Sequence, residues 1–140
     1  LGAVNIAAGK IPGAWGPLNG EAVIAENPDL ILMASSSWVG KARAVRTGYD
    51  ITPEETRASL RPYAGRPGWA GLKAIKAGEI SAIEHGLCRT LYDFAAMQYI
   101  AKRLYPDAFA DVDPVASLKA YHEKYLPIAF SCTWMLPLEP

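Results

Sequence analysis

Two apolar runs predict the inner strands of a sheet. The run DLILMA (29–34) is continuously apolar and lies between Pro28 and three serines, which is typical of a strand buried on both faces. The run EISAI (79–83) alternates and predicts a second inner strand. A shorter run, AVNIAA (3–8), predicts an edge strand, and the apolar tail 126–140 predicts extended chain packed across the domain.

Helix-capping signals predict three helices before residue 80. Asn19 predicts the start of a short helix with Glu21 in its first turn, where the helix dipole favours an acid. The sequence TPEE (52–55) is a capping box and predicts a helix over 53–61. The segment 70–78 predicts a short helix that Gly78 closes.

Two longer helices are predicted in the second half of the chain. TLYD (90–93) is a second capping signature, and the helix after it carries an apolar stripe. Asp113 and Pro114 begin the last helix, which has its own apolar face. The two predicted buried faces consist of Leu91, Phe94, Met97, Ile100 and Leu104, and of Val115, Leu118, Tyr121 and Tyr125.

Strands that alternate with helices predict an α/β fold with a mostly parallel sheet. The 140 residues suit one domain, and 51% hydrophobic content excludes a disordered chain. Lys+Arg and Asp+Glu are both 14, and this balance argues against nucleic acid as a partner. No apolar stretch approaches the roughly 20 residues that span a bilayer.

The carboxyl ends of the two inner strands are the expected ligand site, because open parallel sheets bind ligands there. Ser35, Ser36, Ser37 and Trp38 follow the first strand. His85 and Arg89 follow the second, and Thr90 begins a helix whose free N–H groups attract anions. Arg89 adds donors suited to carboxylates or oxyanions.

Simpler roles for these residues stay open. Arg89 could pair with Asp93 one turn later, His85 could be a hydrogen-bonded loop residue, and the serines could cap backbone groups. We expect Cys88 to be buried and inert. Cys88 and Cys132 allow one disulfide or two free thiols.

Catalysis is weakly indicated. A cysteine nucleophile needs a base and an orienting group, and only His85 is near Cys88 in sequence. His122 lies on a helix beside tyrosines, where packing is expected. No G-x-S-x-G, P-loop or G-x-G-x-x-G motif is present. With two histidines a metal cage is hard to assemble, so neither a metal site nor a cofactor is predicted.

Four segments of the chain, taken in order, form a recognisable pattern. The most specific are E-x-x-x-x-x-N-P-D-L-I-L, from Glu21, and R-P-G-W-x-x-L-x-A-I-K-x-G-E-I, from Arg66. GAVNIAA precedes them, and YIAKRLYPDAFADVDPVASLKAYHEKYLP follows. The pattern resembles the C-terminal lobe of class III substrate-binding proteins of ABC importers, and the resemblance covers nearly the whole chain.

The resemblance implies a three-layer lobe, spanning 1–140, of a two-lobed binding protein that holds its ligand between the lobes. We expect a fragment or processed chain, without the N-terminal lobe, the linker helix and the lobe's first strand. The family lies in the periplasm or is anchored outside the membrane as a lipoprotein. By the same resemblance Glu21 docks on the membrane permease, and Trp15 presents an aromatic ring to the ligand. The long segment 35–62 departs from the family and could cover the cleft rim or contact a partner.

The ligand that the resemblance favours is a metal chelate of the iron–siderophore type, and Trp15, Trp38 and Tyr49 suit a large organic molecule. An oxyanion such as molybdate or tungstate is the second candidate, since Arg89, His85 and the serines suit an anion. Haem or a corrinoid is a further alternative within the family. Outside it, the alternatives are a Cys88/His85 enzyme on a flavodoxin-like sheet and a stand-alone interaction domain.

Overall fold

The computed structural model describes residues 2–13, 15–38 and 40–138. Three strands and five α-helices alternate along the chain, as the α/β prediction requires. In chain order the elements are α1 Gly20–Glu26, β1 Ile31–Ser35, α2 Pro53–Ala64, α3 Lys73–Lys76, β2 Ile80–Glu84, α4 Phe94–Leu104, α5 Pro114–Tyr125 and β3 Met135–Pro137. Two 3₁₀ helices, Trp69–Gly71 and His85–Arg89, precede α3 and follow β2.

The sheet has the strand order β1-β2-β3 and is mixed. β1 and β2 are parallel, with Ile31 opposite Ile80 and Ser35 opposite Glu84. β3 pairs antiparallel to β2, with Ile83 opposite Met135. The prediction of a mostly parallel sheet therefore holds for the inner pair, and the tail, predicted to be extended, returns along β2 as the third strand.

Helices cover both faces of the sheet. On one face, Leu60 of α2 packs with Val45, Ile80 and Ala82. On the other, Ala95 and Tyr99 of α4 and Leu118 of α5 form a core with Trp134 and Met135 of the tail. The three layers expected of the lobe are therefore present. Burying a side chain such as Leu118 contributes about 1.5–3 kcal/mol to the free energy of folding. The two cores therefore stabilise the sheet and fix the positions of the loops at its ends.

The capping box of α2 forms as predicted. The Thr52 hydroxyl accepts a hydrogen bond from the Glu55 N–H, and the Glu55 carboxylate accepts one from the Thr52 N–H. The bond from the Thr52 backbone, more than the charge of Arg46, lowers the pKa of Glu55. α2 extends to Ala64, three residues beyond the predicted end at 61.

The second capping box, predicted at 90–93, does not form. The Thr90 hydroxyl donates back to the Leu87 carbonyl, 3.0 Å away, so Thr90 ends the 3₁₀ helix and does not begin α4. α4 begins at Phe94, and Asp93 makes no side-chain cap. Leu91 lies outside the helix and is 86% exposed. The cap was predicted wrongly because the short 3₁₀ turn satisfies Thr90 locally.

The buried faces of α4 and α5 differ from the predicted stripes. Met97 is half exposed, and the residues pressed into the core are Ala95, Tyr99 and Ala101. On α5, Val115 and Tyr125 are exposed, and the buried row is Pro114, Leu118 and His122. Leu118 is buried as predicted, but two alanines and a histidine, which a search for hydrophobic side chains does not select, are buried beside it: Ala95 and Ala101 on α4 and His122 on α5.

Two further predictions are wrong. Residues 3–8 form no strand: 2–5 are irregular and 6–10 make a turn, since no described strand pairs with them. The helix predicted over 70–78 is wrong in its start only: α3 begins at Lys73, because Leu72 adopts an extended conformation after the 3₁₀ helix, and Gly78, with φ 69°, closes it as predicted. No helix in the described ranges is both long enough and apolar enough to cross a membrane.

Candidate functional site

The site is built where β1 and β2 end side by side. Because Ser35 lies opposite Glu84 in the parallel pair, the segments that follow the two strands leave the sheet at the same level. One is the loop 36–38, and the other is the 3₁₀ helix His85–Arg89. The structure therefore brings together the two loops that the sequence predicted as a ligand-binding rim, which we call the crevice rim.

An aromatic contact joins the two loops. The ring centroids of Trp38 and His85 are 6.4 Å apart, and their planes are tilted by 51°. Trp38 is 42% exposed, so one part of its indole contacts His85 and another part is open to a ligand. The ammonium of Lys41 lies 5.9 Å from the Trp38 ring and adds a positive charge to the same surface.

Ser35 lies beneath the rim. It is fully buried, and its hydroxyl donates to the Ile83 carbonyl at 2.7 Å. Since a hydroxyl has one proton, the 2.7 Å bond with Thr47 is donated by the Thr47 hydroxyl. The Ser36 N–H donates to the Val45 carbonyl, and Ser37 is exposed. Of the three serines, Ser37 faces solvent most fully.

The segment after β2 presents His85, Cys88 and Arg89. Arg89 is exposed and makes no ion pair with Asp93 or any other described residue, so its guanidinium is available. Cys88 is exposed and free, contrary to the expectation that it is buried, and its thiol donates to the His85 carbonyl at 3.0 Å. The thiol therefore bonds to the backbone of His85, and its activation by the imidazole is not observed.

Gly86 allows a carboxylate to lie against this turn. A Cβ added at Gly86 would lie only 2.7 Å from the Oε2 atom of Glu84. Glu84 is partly buried at the end of β2 and was not among the predicted site residues. Glu84 adds a carboxylate to the segment that carries Arg89, so the crevice rim contains charges of both signs.

The C-terminal tail forms the floor next to the rim. The Gly48 N–H donates to the Thr133 carbonyl at 2.6 Å, and the Glu84 N–H donates to the Trp134 carbonyl at 2.8 Å. Tyr49 meets Trp134 edge to face, with centroids 4.8 Å apart. Sequence reasoning did not place the tail at this site, because antiparallel pairing across about 50 residues leaves no local signal.

A buried histidine lies in the aromatic cluster under this floor. His122 is fully buried, and the rings of Tyr49, Tyr92, Phe130 and Trp134 surround it at 5.3–6.1 Å. The Nδ1 atom is 3.4 Å from the Tyr49 hydroxyl. Burial lowers the pKa of His122, and burial together with the nearby Tyr92 raises the pKa of Tyr49. His122 is therefore a neutral packing residue, as its neighbouring tyrosines suggested.

Two predicted functional residues lie outside the crevice rim, at α1. Trp15 is 87% exposed on the loop before the helix. Glu21 is exposed in the first turn, where its N–H donates to the Asn19 side chain at 2.9 Å. No contact described in the structure joins either side chain to the rim. Both are therefore accessible to molecules outside this lobe.

Comparison with known proteins identifies the architecture. Neither a protein-family model nor a curated protein sequence matches the chain. A solved structure matches with a TM-score of 0.94 and 36% sequence identity over 99% of the chain. It is the crystal structure of the TroA-like periplasmic binding protein FepB from Veillonella parvula. The chain matches one lobe of this TroA-like periplasmic binding protein.

The match also defines how much of such a protein is present. The chain spans 40% of the length of the solved FepB chain. The crevice rim therefore lies in a chain that matches one lobe of that binding protein. The described residues of the chain contain no group of three or more His, Cys, Asp or Glu side chains that could hold a metal ion.

Proposed function

We propose that this TroA-like lobe is the C-terminal half of a substrate-binding protein of an ABC importer, which captures a metal chelate and delivers it to a membrane permease. The observation that carries the proposal is the full-length match to one lobe of a periplasmic binding protein at 36% identity. The proposed location is the periplasm or, as a lipoprotein, the outer face of the membrane.

The unpaired edge of β1 supports the proposal that a further segment of chain packs against this lobe. β1 pairs only with β2 among the described strands, and a groove of about 700 Å³ runs along its other side. Exposed apolar residues such as Val4, which is 88% exposed, line this groove. An apolar strand edge of this kind favours pairing with more chain, which the rest of a two-lobed protein would supply.

For the ligand, we propose a large metal chelate of the iron–siderophore type. Trp38 supplies an exposed aromatic surface, and the rim carries both the exposed guanidinium of Arg89 and the partly buried carboxylate of Glu84. In this proposal Ser36, Ser37, His85 and Thr90 contribute contacts around it, with Ser35 supporting the loop. Trp15, which lies outside the crevice rim, would contact a part of the ligand that extends beyond the rim. Haem and corrinoid ligands use similar aromatic contacts.

A bare oxyanion is the second candidate ligand. Arg89 and Lys41 favour an anion, but the Glu84 carboxylate opposes it. Because the two classes of ligand differ in size and charge, direct identification distinguishes them. An enzyme that uses Cys88 is not proposed, since the Cys88 thiol bonds to the His85 carbonyl and not to its ring.

The experiment is native mass spectrometry of the complete two-lobed protein, purified without refolding, followed by a thermal-shift screen. A ligand at 100 times its Kd stabilises a protein by about 2.7 kcal/mol, which raises the melting temperature measurably. We expect iron–siderophore chelates to raise it most. Stabilisation by molybdate or tungstate but by no chelate would overturn the chelate proposal.

A further inference from the structure

A second concave site lies on the outer flank of the lobe. It is a groove of about 330 Å³ between the loop at 42–43 and the second half of α2. None of its lining residues belongs to the crevice rim. The lining consists of Ala42, Arg43, Ala58, Ser59, Pro62, Tyr63 and Arg66, and we call it the flank groove.

Hydrogen bonds between the loop and α2 hold the flank groove in shape. The Tyr63 hydroxyl donates to the Arg43 carbonyl. One turn earlier, the Arg46 N–H donates to the Ser59 hydroxyl at 2.9 Å, and Ser59 itself donates to the Thr56 carbonyl at 2.8 Å. Two hydrogen bonds therefore join the loop to α2. They fix the position of the loop and with it the shape of the groove.

Of the two arginines that line the flank groove, Arg66 is held in place by contacts with aromatic rings. The guanidinium carbon of Arg66 lies 4.6 Å from the centroid of the Tyr63 ring and 5.0 Å from that of Trp69. Trp69 is only 8% exposed, so this contact anchors Arg66 to the folded body. A guanidinium that lies against two rings keeps its N–H groups free for an anion and loses little conformational freedom on binding.

The sequence around the groove is rich in positively charged residues. Residues 56–68 contain three arginines and no acid, and 41–46 contain three cations and no acid, although the whole chain has a net charge of +0. Arg46 pairs with Glu55 at 3.4 Å, whereas neither Arg43 nor Arg66 makes an ion pair with a described residue. The negative end of α2 favours a cation near Arg66, but it does not account for Arg43.

We propose that the flank groove is a second binding site, which takes a small organic anion with one phosphate or carboxylate group on an apolar body. Arg43 and Arg66 would bind the anionic group, since guanidinium groups form paired hydrogen bonds with these oxyanions. Ala58, Pro62 and the Tyr63 ring would contact the apolar body. The volume falls at the small end of the range for ligand pockets.

The test measures binding of phenyl phosphate to the intact protein by isothermal titration calorimetry, with benzyl alcohol as the neutral probe. We expect saturable binding of phenyl phosphate only. Arg43→Gln and Arg66→Gln should each weaken it by about tenfold or more, as loss of a charge-assisted hydrogen bond does. Arg61→Gln, the same charge change on the exposed side of α2 outside the groove, should change it less than threefold.

Three outcomes of the calorimetry would overturn the proposal. They are no saturable binding of phenyl phosphate, equal binding of benzyl alcohol, or equal weakening by Arg61→Gln, which would indicate diffuse charge attraction. Pelleting with phosphatidylglycerol vesicles is a separate arm, and vesicle binding without binding of phenyl phosphate would also overturn the small-molecule site. Thermal melts of each variant distinguish lost binding from unfolding. A negative result leaves the importer proposal intact, because the crevice rim shares no residue with the flank groove.

Discussion

Trp38 and His85 follow different strands, yet their rings meet with centroids 6.4 Å apart. Forty-six positions separate them in sequence, and the parallel register of Ser35 and Glu84 brings them together. This contact joins the loop after β1 and the segment after β2 into one continuous surface. It is therefore the first place to test the proposed crevice.

Trp38→Ala and His85→Ala should weaken ligand binding by the complete two-lobed protein. We expect each to raise the Kd by about tenfold, equivalent to about 1.4 kcal/mol, because each removes one half of the shared surface. Fluorescence titration with the ligand found by mass spectrometry measures the change. Val115→Ala, which truncates an exposed apolar residue on α5, is the control. Unchanged affinity in both rim variants would place the ligand elsewhere.

Glu21→Ala should lower transport in cells without changing ligand affinity, if Glu21 docks on the permease. The matched control is Glu54→Ala, since Glu54 is also an acid in the first turn of a helix. Both substitutions lose a similar helix-dipole contribution of about 0.3–1 kcal/mol, so any difference between them reports docking. An uptake assay and a binding assay are needed together. Loss of affinity without a specific loss of transport would contradict the docking role.

The buried His122 should make the lobe less stable at acidic pH. Its pKa is lowered in the folded state, so the unfolded chain binds the proton more readily. The stability is fully present above the unfolded pKa of about 6.5 and falls as the pH drops below it. The slope contributed by this one group reaches at most about 1.4 kcal/mol per pH unit.

Urea unfolding at pH 7.5 and pH 5 measures this effect. His122→Phe keeps an aromatic ring among Tyr49, Phe130 and Trp134 and removes the titration, so its free energy of unfolding should change less between the two pH values. His85→Phe is the control, because His85 lies at the partly exposed rim. The same pH dependence in wild type and His122→Phe would refute the assignment.

Thr52→Ala should destabilise the lobe by about 1 kcal/mol, because it removes a formed helix cap. Thr90→Ala is the informative comparison, since the sequence predicts a cap at both positions and the structure forms only one. We expect Thr90→Ala to cost about half as much or less, through loss of its bond to Leu87. Chemical denaturation measures both. Equal costs would indicate that Thr90 caps α4 in solution.

Both cysteines should react with a maleimide in the folded protein, because both are free and exposed. Alkylation of Cys88 in a Cys132→Ser background should leave chelate binding by the complete protein within about threefold, since the thiol bonds only to backbone. Mass spectrometry counts the labels, and titration gives the Kd. Protection of Cys88 from labelling by bound ligand, together with lost affinity, would instead place this thiol in the site.

The elements that could be predicted are those with local signals. Asn19, Thr52 and Asp113 each cap the helix that the sequence assigned to them. The same signal gave a wrong prediction at Thr90, because the Thr90 hydroxyl donates to the Leu87 carbonyl of the 3₁₀ helix and does not cap α4. Both rim loops were correctly placed, because the ends of two predicted parallel strands must meet at one edge of the sheet.

The amino-acid sequence by itself determined the α/β class, the capped helices, the inner strands and the family resemblance, since these rest on short-range periodicity and on motifs. Tertiary structure decided which side chains each helix buries, where the tail pairs and how Glu84 and Tyr49 join the site. It also decided that Arg43 and Arg66 line one groove. These depend on contacts between residues distant in sequence, whose free energy is set by packing and desolvation and leaves no pattern along the chain.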